Sequence, residues 1–239
     1  MKVRPAFLAL PFLIAAAQAA VATPPQLATD LAAAAQASVI SLSGVNPINA
    51  PQIAMTATWG GGSLILSDSP ESPTARGMMY KDAGLDATGV VPNRIFLYHL
   101  NNKPSGYLRF SVLLKNNGTS SGTLTVTQSG TAGPSNNFGY VGKLAFKRWL
   151  DSASGSGVSV AAGQTVRLDA AFDVVDVAKG YVVNGIWDYT FTQDHTVIIC
   201  ALNSSDNPIT VGPTLGVAAR DTHKRGTFIY SDKTYDTSA

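Results

Sequence analysis

The chain of 239 residues contains one cysteine, one glutamate and three histidines. With Cys200 alone, no intrachain disulfide can form, and stability has to come from a sizeable core. The histidines, His99, His195 and His223, stand far apart. No H-E-x-x-H motif and no paired-cysteine spacing occurs, so no metal ligands are assigned from the sequence. Charged residues make up only 13%, against roughly 25% in ordinary globular domains. Ser, Thr, Asn and Gly fill the gap, a balance familiar from extracellular β-proteins.

A basic excess is also missing. Lys2 and Arg4 belong to the extreme N-terminus, and without them the 17 basic residues fall level with the 15 acidic ones. A near-neutral chain argues against a broad nucleic-acid surface and against a polybasic membrane patch. No second apolar run approaches the ~20 residues of a membrane-spanning helix.

The N-terminus reads as an export signal. Lys2 and Arg4 precede an apolar run, Ala6 to Ala17, and Ala17-Gln18-Ala19 has the small-x-small pattern of a cleavage site. The sequence therefore predicts a signal peptide over 1–19, an N-terminal leader over 20–36 and a single β-sandwich domain over 37–239. The expected location is secreted, periplasmic or at the cell surface. Within the leader, Thr29 or Asp30 is placed to cap a short Ala-rich helix.

From Ala37 onward β signals dominate. Candidate strands are 37–43, 53–59, 63–67, 76–80 and 93–101. In 107–128, Leu108, Phe110, Val112 and Leu114 alternate with Arg109, Ser111, Leu113 and Lys115, and Leu124 and Val126 alternate with threonines. This predicts a β-hairpin about the Asn/Gly/Ser turn. Residues 129–140 read as a loop. Val141, Leu144, Ala145 and Trp149 have helical spacing, which predicts a short amphipathic helix over 141–152. Segment 158–172 reads as strand, turn, strand, and 173–180 as either a helical turn or a loop. Residues 181–191 and 195–202 read as a second hairpin, SDNPITV as an edge segment and 226–230 as a last strand. About ten to twelve short strands predict an all-β fold: an antiparallel β-sandwich, immunoglobulin-like or jelly-roll-like, with one short helix.

Few residues offer chemistry. Gly118-Thr119-Ser120-Ser121-Gly122 matches G-x-S-x-G, but a strand follows where a nucleophile elbow needs a helix. Each histidine reads as a surface or strand-end residue, and Cys200 as a small buried hydrophobe. Trp187, Tyr189 and Phe191 share one face of a strand, either as core or as a platform for sugar rings. Trp149 reads as the anchor of the helix on the sheet.

The lone glutamate, Glu71, lies in SDSPESPTARGMMYKD, residues 67–82. Glycoside hydrolysis needs two carboxylates about a cleft. Glu71 is a candidate, with Asp68, Asp82, Asp188 or Asp221 as its second. Calcium is a possible cofactor through loop oxygens, either at Asp68, Ser69 and Glu71 or at Asp169, Asp173 and Asp176. The charge-dense tail holds Arg220, Asp221 and His223. If Glu71 pairs with Arg76 alone, the loop is a charged corner. If Arg220, Asp221 or His223 folds back beside Asp68 and Glu71, it is the best candidate binding site in the chain.

The segments SDSPE (67–71), RGMMYKD (76–82), NRIFLYHLN (93–101), LLKNNGT (113–119) and YVGK (140–143) resemble an uncharacterised group of secreted bacterial proteins, some carried beside copper-amine-oxidase-like N-terminal domains. The resemblance spans roughly residues 60 to 200 and implies an exported bacterial β-protein. It brings no catalytic residues with it. The sequence thus points to an exported, non-enzymatic surface, matrix or ligand-binding module for a cell-surface or polysaccharide ligand. A carbohydrate-active hydrolase built on Glu71 is the alternative.

Overall fold

Strand Asn93–Leu100 shows how the sequence builds the sandwich. Asn93, Ile95, Leu97 and His99 are buried, and Arg94, Phe96, Tyr98 and Leu100 between them are half-buried. Strict period-two alternation turns one face inward and leaves the other to be covered in part. The computed structural model describes Thr29, Ala32, Ala33 and residues 55–236. The predicted signal peptide, most of the leader and the strand at 37–43 lie outside the described residues. Thr29, Ala32 and Ala33 are helical. The chain divides into a unit of Met1–Ala57 with Tyr235–Ala239 and a unit of Thr58–Thr234. The second holds the sandwich.

Twelve strands occur among the described residues: β1 (Thr56–Gly60), β2 (Leu64–Ser67), β3 (Gly77–Leu85), β4 (Asn93–Leu100), β5 (Arg109–Asn116), β6 (Gly122–Ser135), β7 (Val158–Val160), β8 (Thr165–Arg167), β9 (Val182–Phe191), β10 (His195–Leu202), β11 (Arg225–Phe228) and β12 (Asp232–Asp236). One sheet has the order β3-β10-β5-β8, and the other β11-β2-β4-β9-β6-β7. β1 and β12 form a separate two-stranded ribbon. The fold is all-β, as predicted. Its pairings within the two large sheets are antiparallel except β2 with β4, which is parallel.

Neither predicted hairpin forms. β5 pairs with β10 and β8, while β6 pairs with β9 and β7. Likewise β9 and β10 lie in different sheets. The turns at 117–121 and 192–194 are arches that carry the chain from one sheet to the other. Alternation marks a half-buried strand but not the strand it pairs with, so a hairpin and an arch read alike. From β2 to β11, only the β6–β7 connection stays within one sheet.

Ile65, Ile95, Leu97, Phe110, Val112, Leu114, Trp187, Tyr189, Phe191 and Ile199 fill the space between the sheets. Trp187, Tyr189 and Phe191 are therefore core. The central strands are buried on both faces because the outer faces are also covered. Helix α1 (Phe138–Asp151) packs Val141 and Ala145 against Ala132 and Val182. On the other sheet, Met78, Leu113, Ile198, Cys200 and Leu202 meet Val211 and Leu215. Cys200 is buried and free, as the sequence predicts.

Three local expectations are corrected. Residues 129–135 are not loop but the end of β6, bent by register shifts at Val126/Gln128 and Ala132/Ser135. SDNPITV is not an edge segment: Asn207 caps a short helix, α2 (Pro208–Val211), through the amide of Ile209, with Pro208 in the first turn where its missing N–H costs nothing. Helix α1 begins at Phe138 because Asn137 accepts from the Tyr140 amide. Residues 172–174 form one 3-10 turn.

Gly130 of β6 lets α1 approach its sheet. A Cβ there would lie 2.1 Å from the Ala145 carbonyl oxygen and 2.3 Å from the Trp149 nitrogen. Both are backbone atoms, so no side chain can swing aside. Gly130→Ala is expected to push the helix outward and lower stability by about 1–3 kcal/mol, read as a fall in the urea midpoint.

Candidate functional site

The link from β2 to β3, residues 68–76, crosses between the sheets and has no ladder of its own. Its backbone is held by groups from three other places. The first is the end of β4. His99 is fully buried, stacked on Phe110 with ring centroids 5.2 Å apart. Its Nδ1 lies 2.9 Å from the Pro70 carbonyl and its Nε2 2.9 Å from Ser67 Oγ. A carbonyl only accepts, so Nδ1–H donates to it and Nε2 accepts from the serine hydroxyl. The ring is thereby neutral, and burial pushes its pKa down to about 4 against the weaker pull of the Pro70 carbonyl. The amides of Leu100 and Asn102 donate to Glu71 and Pro73 carbonyls at 2.7 and 3.0 Å.

The second place is β11. Arg225 donates to the carbonyls of Ser69 and Met79 at 3.0 and 2.7 Å through one nitrogen, and to Ala218 at 2.9 Å through the other. The third is the segment before β11. Asp221 Oδ2 accepts the Glu71 amide at 2.8 Å, the Asp221 amide donates to Ser69 Oγ at 3.2 Å, and Asp68 donates its amide to the Lys224 carbonyl.

Over this framework stands the charged group. His223 Nε2 is 3.0 Å from Glu71 Oε2, and its Nδ1 is 3.2 Å from Asp221 Oδ2. Ionised carboxylates accept only, so the ring satisfies both when each nitrogen carries a proton. Its pKa is accordingly raised, first by the bond to Asp221 and then by the charge of Glu71. Partial burial would raise the Asp221 pKa, but donation from the amides of Glu71 and His223 outweighs it and holds the group at about 2. Asp68 is pushed up to about 6, by burial first and by the charges of Glu71 and Asp221, with His223 opposing.

The structure thus brings Asp68, Glu71, Asp221 and His223 together. Arg76 does not join them: it pairs with Asp206 at 3.0 Å, so the predicted Glu71–Arg76 pair is not formed. Arg220 makes no hydrogen bond or ion pair among the described residues; its charge is felt by Arg225. Of the other carboxylates considered as second to Glu71, Asp188 is held by Arg94 in a bidentate pair at 2.7 and 2.8 Å. The hollow nearest the corner, about 280 Å³ in volume, is lined by Pro70, Pro73, Thr74, Arg76, Ala218 and neighbours, none of them a carboxylate.

The other sequence candidates resolve differently. His99 and His195 are not surface histidines; both are buried. His195 repeats the pattern of His99, with Nδ1 3.1 Å from the Gln193 carbonyl and Nε2 2.8 Å from the Tyr189 hydroxyl. Both lie inside the sandwich, where a hydroxyl and a carbonyl satisfy each ring. Asp169 accepts from the Ala171 and Phe172 amides and the Trp187 indole. Asp176 pairs with Arg109. Asp173 is buried opposite Arg167 Nε at 3.5 Å, with its pKa pushed up to about 7 by burial. These three carboxylates turn to different partners. Among the described residues, no group of three or more His, Cys, Asp or Glu is placed to hold a metal ion.

Two further concavities lie on the sandwich. An apolar groove of about 370 Å³ beside α1 is walled by Leu64, Leu66, Phe96, Phe146, Trp149 and Ile186, with Arg94 stacked over Trp149 at 4.4 Å. Trp149, expected to anchor the helix, is half-buried beneath Arg94 at the edge of this groove; the buried anchors are Val141 and Ala145. The larger of the two, about 600 Å³, opens between Gly61–Ser63, the end of β3 and the turn from β11 to β12. Asp82, Asp86, Thr88 and Asn93 line it together with Val91, Ile229 and Tyr230. Sequence reading missed this groove, because its walls come from four separated segments. Its only local signal is the pair of carboxylates in DAGLDATG, residues 82–89.

No helix among the described residues is long and apolar enough to cross a membrane. No protein-family model, curated protein or solved structure matches the chain.

Acid should act through His99. Its folded pKa lies below the unfolded value, so stability is lost as pH falls from about 6.5 through about 4. The loss is about 3 kcal/mol. His99→Gln, which does not titrate, is expected to lack that part of the slope in urea unfolding followed across the acid range.

Proposed function

We propose that this chain is an exported, non-enzymatic β-sandwich that serves as a surface or matrix module binding polysaccharide, with the groove of about 600 Å³ as its ligand seat. One observation carries this reading: Glu71, Asp221 and His223 at the 68–76 corner are spent on one another and on backbone amides, while a larger concavity lies elsewhere and pairs hydrogen-bonding groups with exposed apolar surface. Such a mixture suits sugar rings, which present hydroxyls at their edges and C–H groups on their faces. Export is supported by the basic start, the apolar run and the Ala17-Gln18-Ala19 pattern. The low charge agrees with an extracellular β-protein.

Titration calorimetry with soluble cell-wall polysaccharides is expected to detect saturable binding. Tyr230 is 59% exposed in the groove wall and has φ of 52°, a conformation asparagine tolerates. Tyr230→Asn should keep the fold and weaken binding by about tenfold, the loss of one stacked ring. Binding to nothing in the panel, or undiminished binding by the variant, rules this reading out.

A second reading, a carbohydrate-active hydrolase, is favoured by one feature. Asp68, raised to about 6 beside Glu71, has the shape of an acid kept partly protonated near a charged partner. Glu71→Gln preserves the amide contact to Asp221 and should leave the fold intact. Any hydrolytic activity found in the parent and kept by this variant removes the hydrolase reading.

A further inference from the structure

The groove is charged on one side of the balance only. Asp82 and Asp86 line it, and among its lining residues there is no Lys, Arg or His. Two cations next to its walls are otherwise engaged: Arg94 is held by Asp188, and Lys233 Nζ sits 4.0 Å from the centre of the Trp59 ring. Asp194 stands just behind, accepting the Ala87 amide at 3.1 Å. The field of these carboxylates reaches the buried His195, where Asp194, Asp82 and Asp86 each oppose the effect of burial.

The two lining carboxylates differ in how they are held. Asp82 is pre-organised: its Oδ1 accepts the Gly84 amide at 3.0 Å and its Oδ2 accepts the Thr227 hydroxyl at 2.5 Å. Thr227 Oγ1 in turn lies 2.9 Å from the Tyr80 hydroxyl, which donates to it because the threonine proton is already committed. Asp86 makes no hydrogen bond or ion pair among the described residues, and it is exposed. One carboxylate is therefore fixed as part of the wall, and the other is free to meet a ligand. Opposite them, Ile229 is 70% exposed and Tyr230 projects its ring.

We infer that this groove selects a glycan bearing free amines, such as a polymer of amino sugar without its acetyl groups. The inference rests on the binding-module reading and names its ligand class. An ammonium group on the sugar meets Asp86, and Asp82 adds to the attraction from its fixed position. The ring faces lie against Ile229, Val91 and Tyr230, and an ammonium near Tyr230 gains from the ring's negative face. Uncompensated carboxylates reject acidic glycans by the same field. A free divalent cation is a poorer fit, since among the described residues no three carboxylate, imidazole or thiol side chains are gathered to hold one.

Calorimetry with glucosamine oligomers, N-acetylglucosamine oligomers of equal length, galacturonate oligomers and oligolysine tests this, in buffer below the pKa of the sugar amine. The parent should bind glucosamine oligomers about tenfold more tightly than the acetylated ones, and galacturonate not at all. Asp86→Asn, an exposed change that breaks no contact, should erase most of that preference while leaving binding of the acetylated oligomer. Tyr230→Asn should weaken both sugars together. Equal affinity for the two sugars, or a preference that survives Asp86→Asn, overturns the amine inference and leaves the binding reading standing. Oligolysine binding as tightly as glucosamine overturns it too, as attraction between charges alone. No binding of any sugar overturns the binding reading itself.

Discussion

The sandwich depends on satisfying the backbone where the chain leaves one sheet for the other. A hairpin turn inherits the ladder of its two strands; an arch does not, and every amide and carbonyl in it needs a partner of its own. Short polar side chains supply these partners. Asn116 donates to the carbonyls of Ser120 and Val160 and accepts the Gly118 amide, closing the arch from β5 to β6. Asn101 does the same beyond β4, donating to the Val177 carbonyl and accepting the Lys103 amide. Asp169 takes two amides before the 3-10 turn. The richness in Asn, Ser and Thr and the poverty in Lys and Glu follow from this: neutral amides and hydroxyls can be buried at corners with little desolvation cost, and long charged chains cannot.

The corner at 68–76 is the most heavily tied of these crossings. Arg225 spreads three donors over three carbonyls from different segments, and His99 fastens the loop from within as a neutral ring. Glu71, Asp221 and His223 close over the outside. Their ion pairs are exposed and add little individually; the Asp221 bonds to backbone amides do more, because they anchor the tail segment to the loop. A cluster that in a sequence suggests catalysis is here largely committed to holding two stretches of chain together. Its one uncommitted feature is the raised Asp68.

Much of the fold was legible because burial has a period. The strands and the helix over Val141 and Ala145 follow from spacing; spacing also put Trp187, Tyr189 and Phe191 on one face, but not whether that face was core or platform. Strand partners were not legible, since the alternation of β5 and β6 is the same whether they pair with each other or face each other across the core. The tail's return to Glu71 was one of two arrangements the sequence left open; Arg76 and Arg220 were included on charge alone, and charge at long range does not choose among acceptors. Helix α2 carried its own signal in Asn207-Pro208, masked by a short apolar stretch that reads equally as strand. The burial of His99 and His195 was hidden because a histidine's suitability for a core rests on one hydroxyl and one carbonyl supplied by other segments.

The pairing of β11 with β2, Arg225 opposite Ser67, joins residues near opposite ends of the sandwich unit. Until the chain has been made as far as Phe228, the apolar strand Leu64–Ser67 has an open edge, with unpaired amides and carbonyls beside Ile65. A chain emerging from synthesis in order therefore carries this apolar edge for most of its length, and it is covered only when β11, itself an edge strand, is added. The closing strand also brings Arg225 to the corner, so completion of the sheet and fastening of the loop are one event.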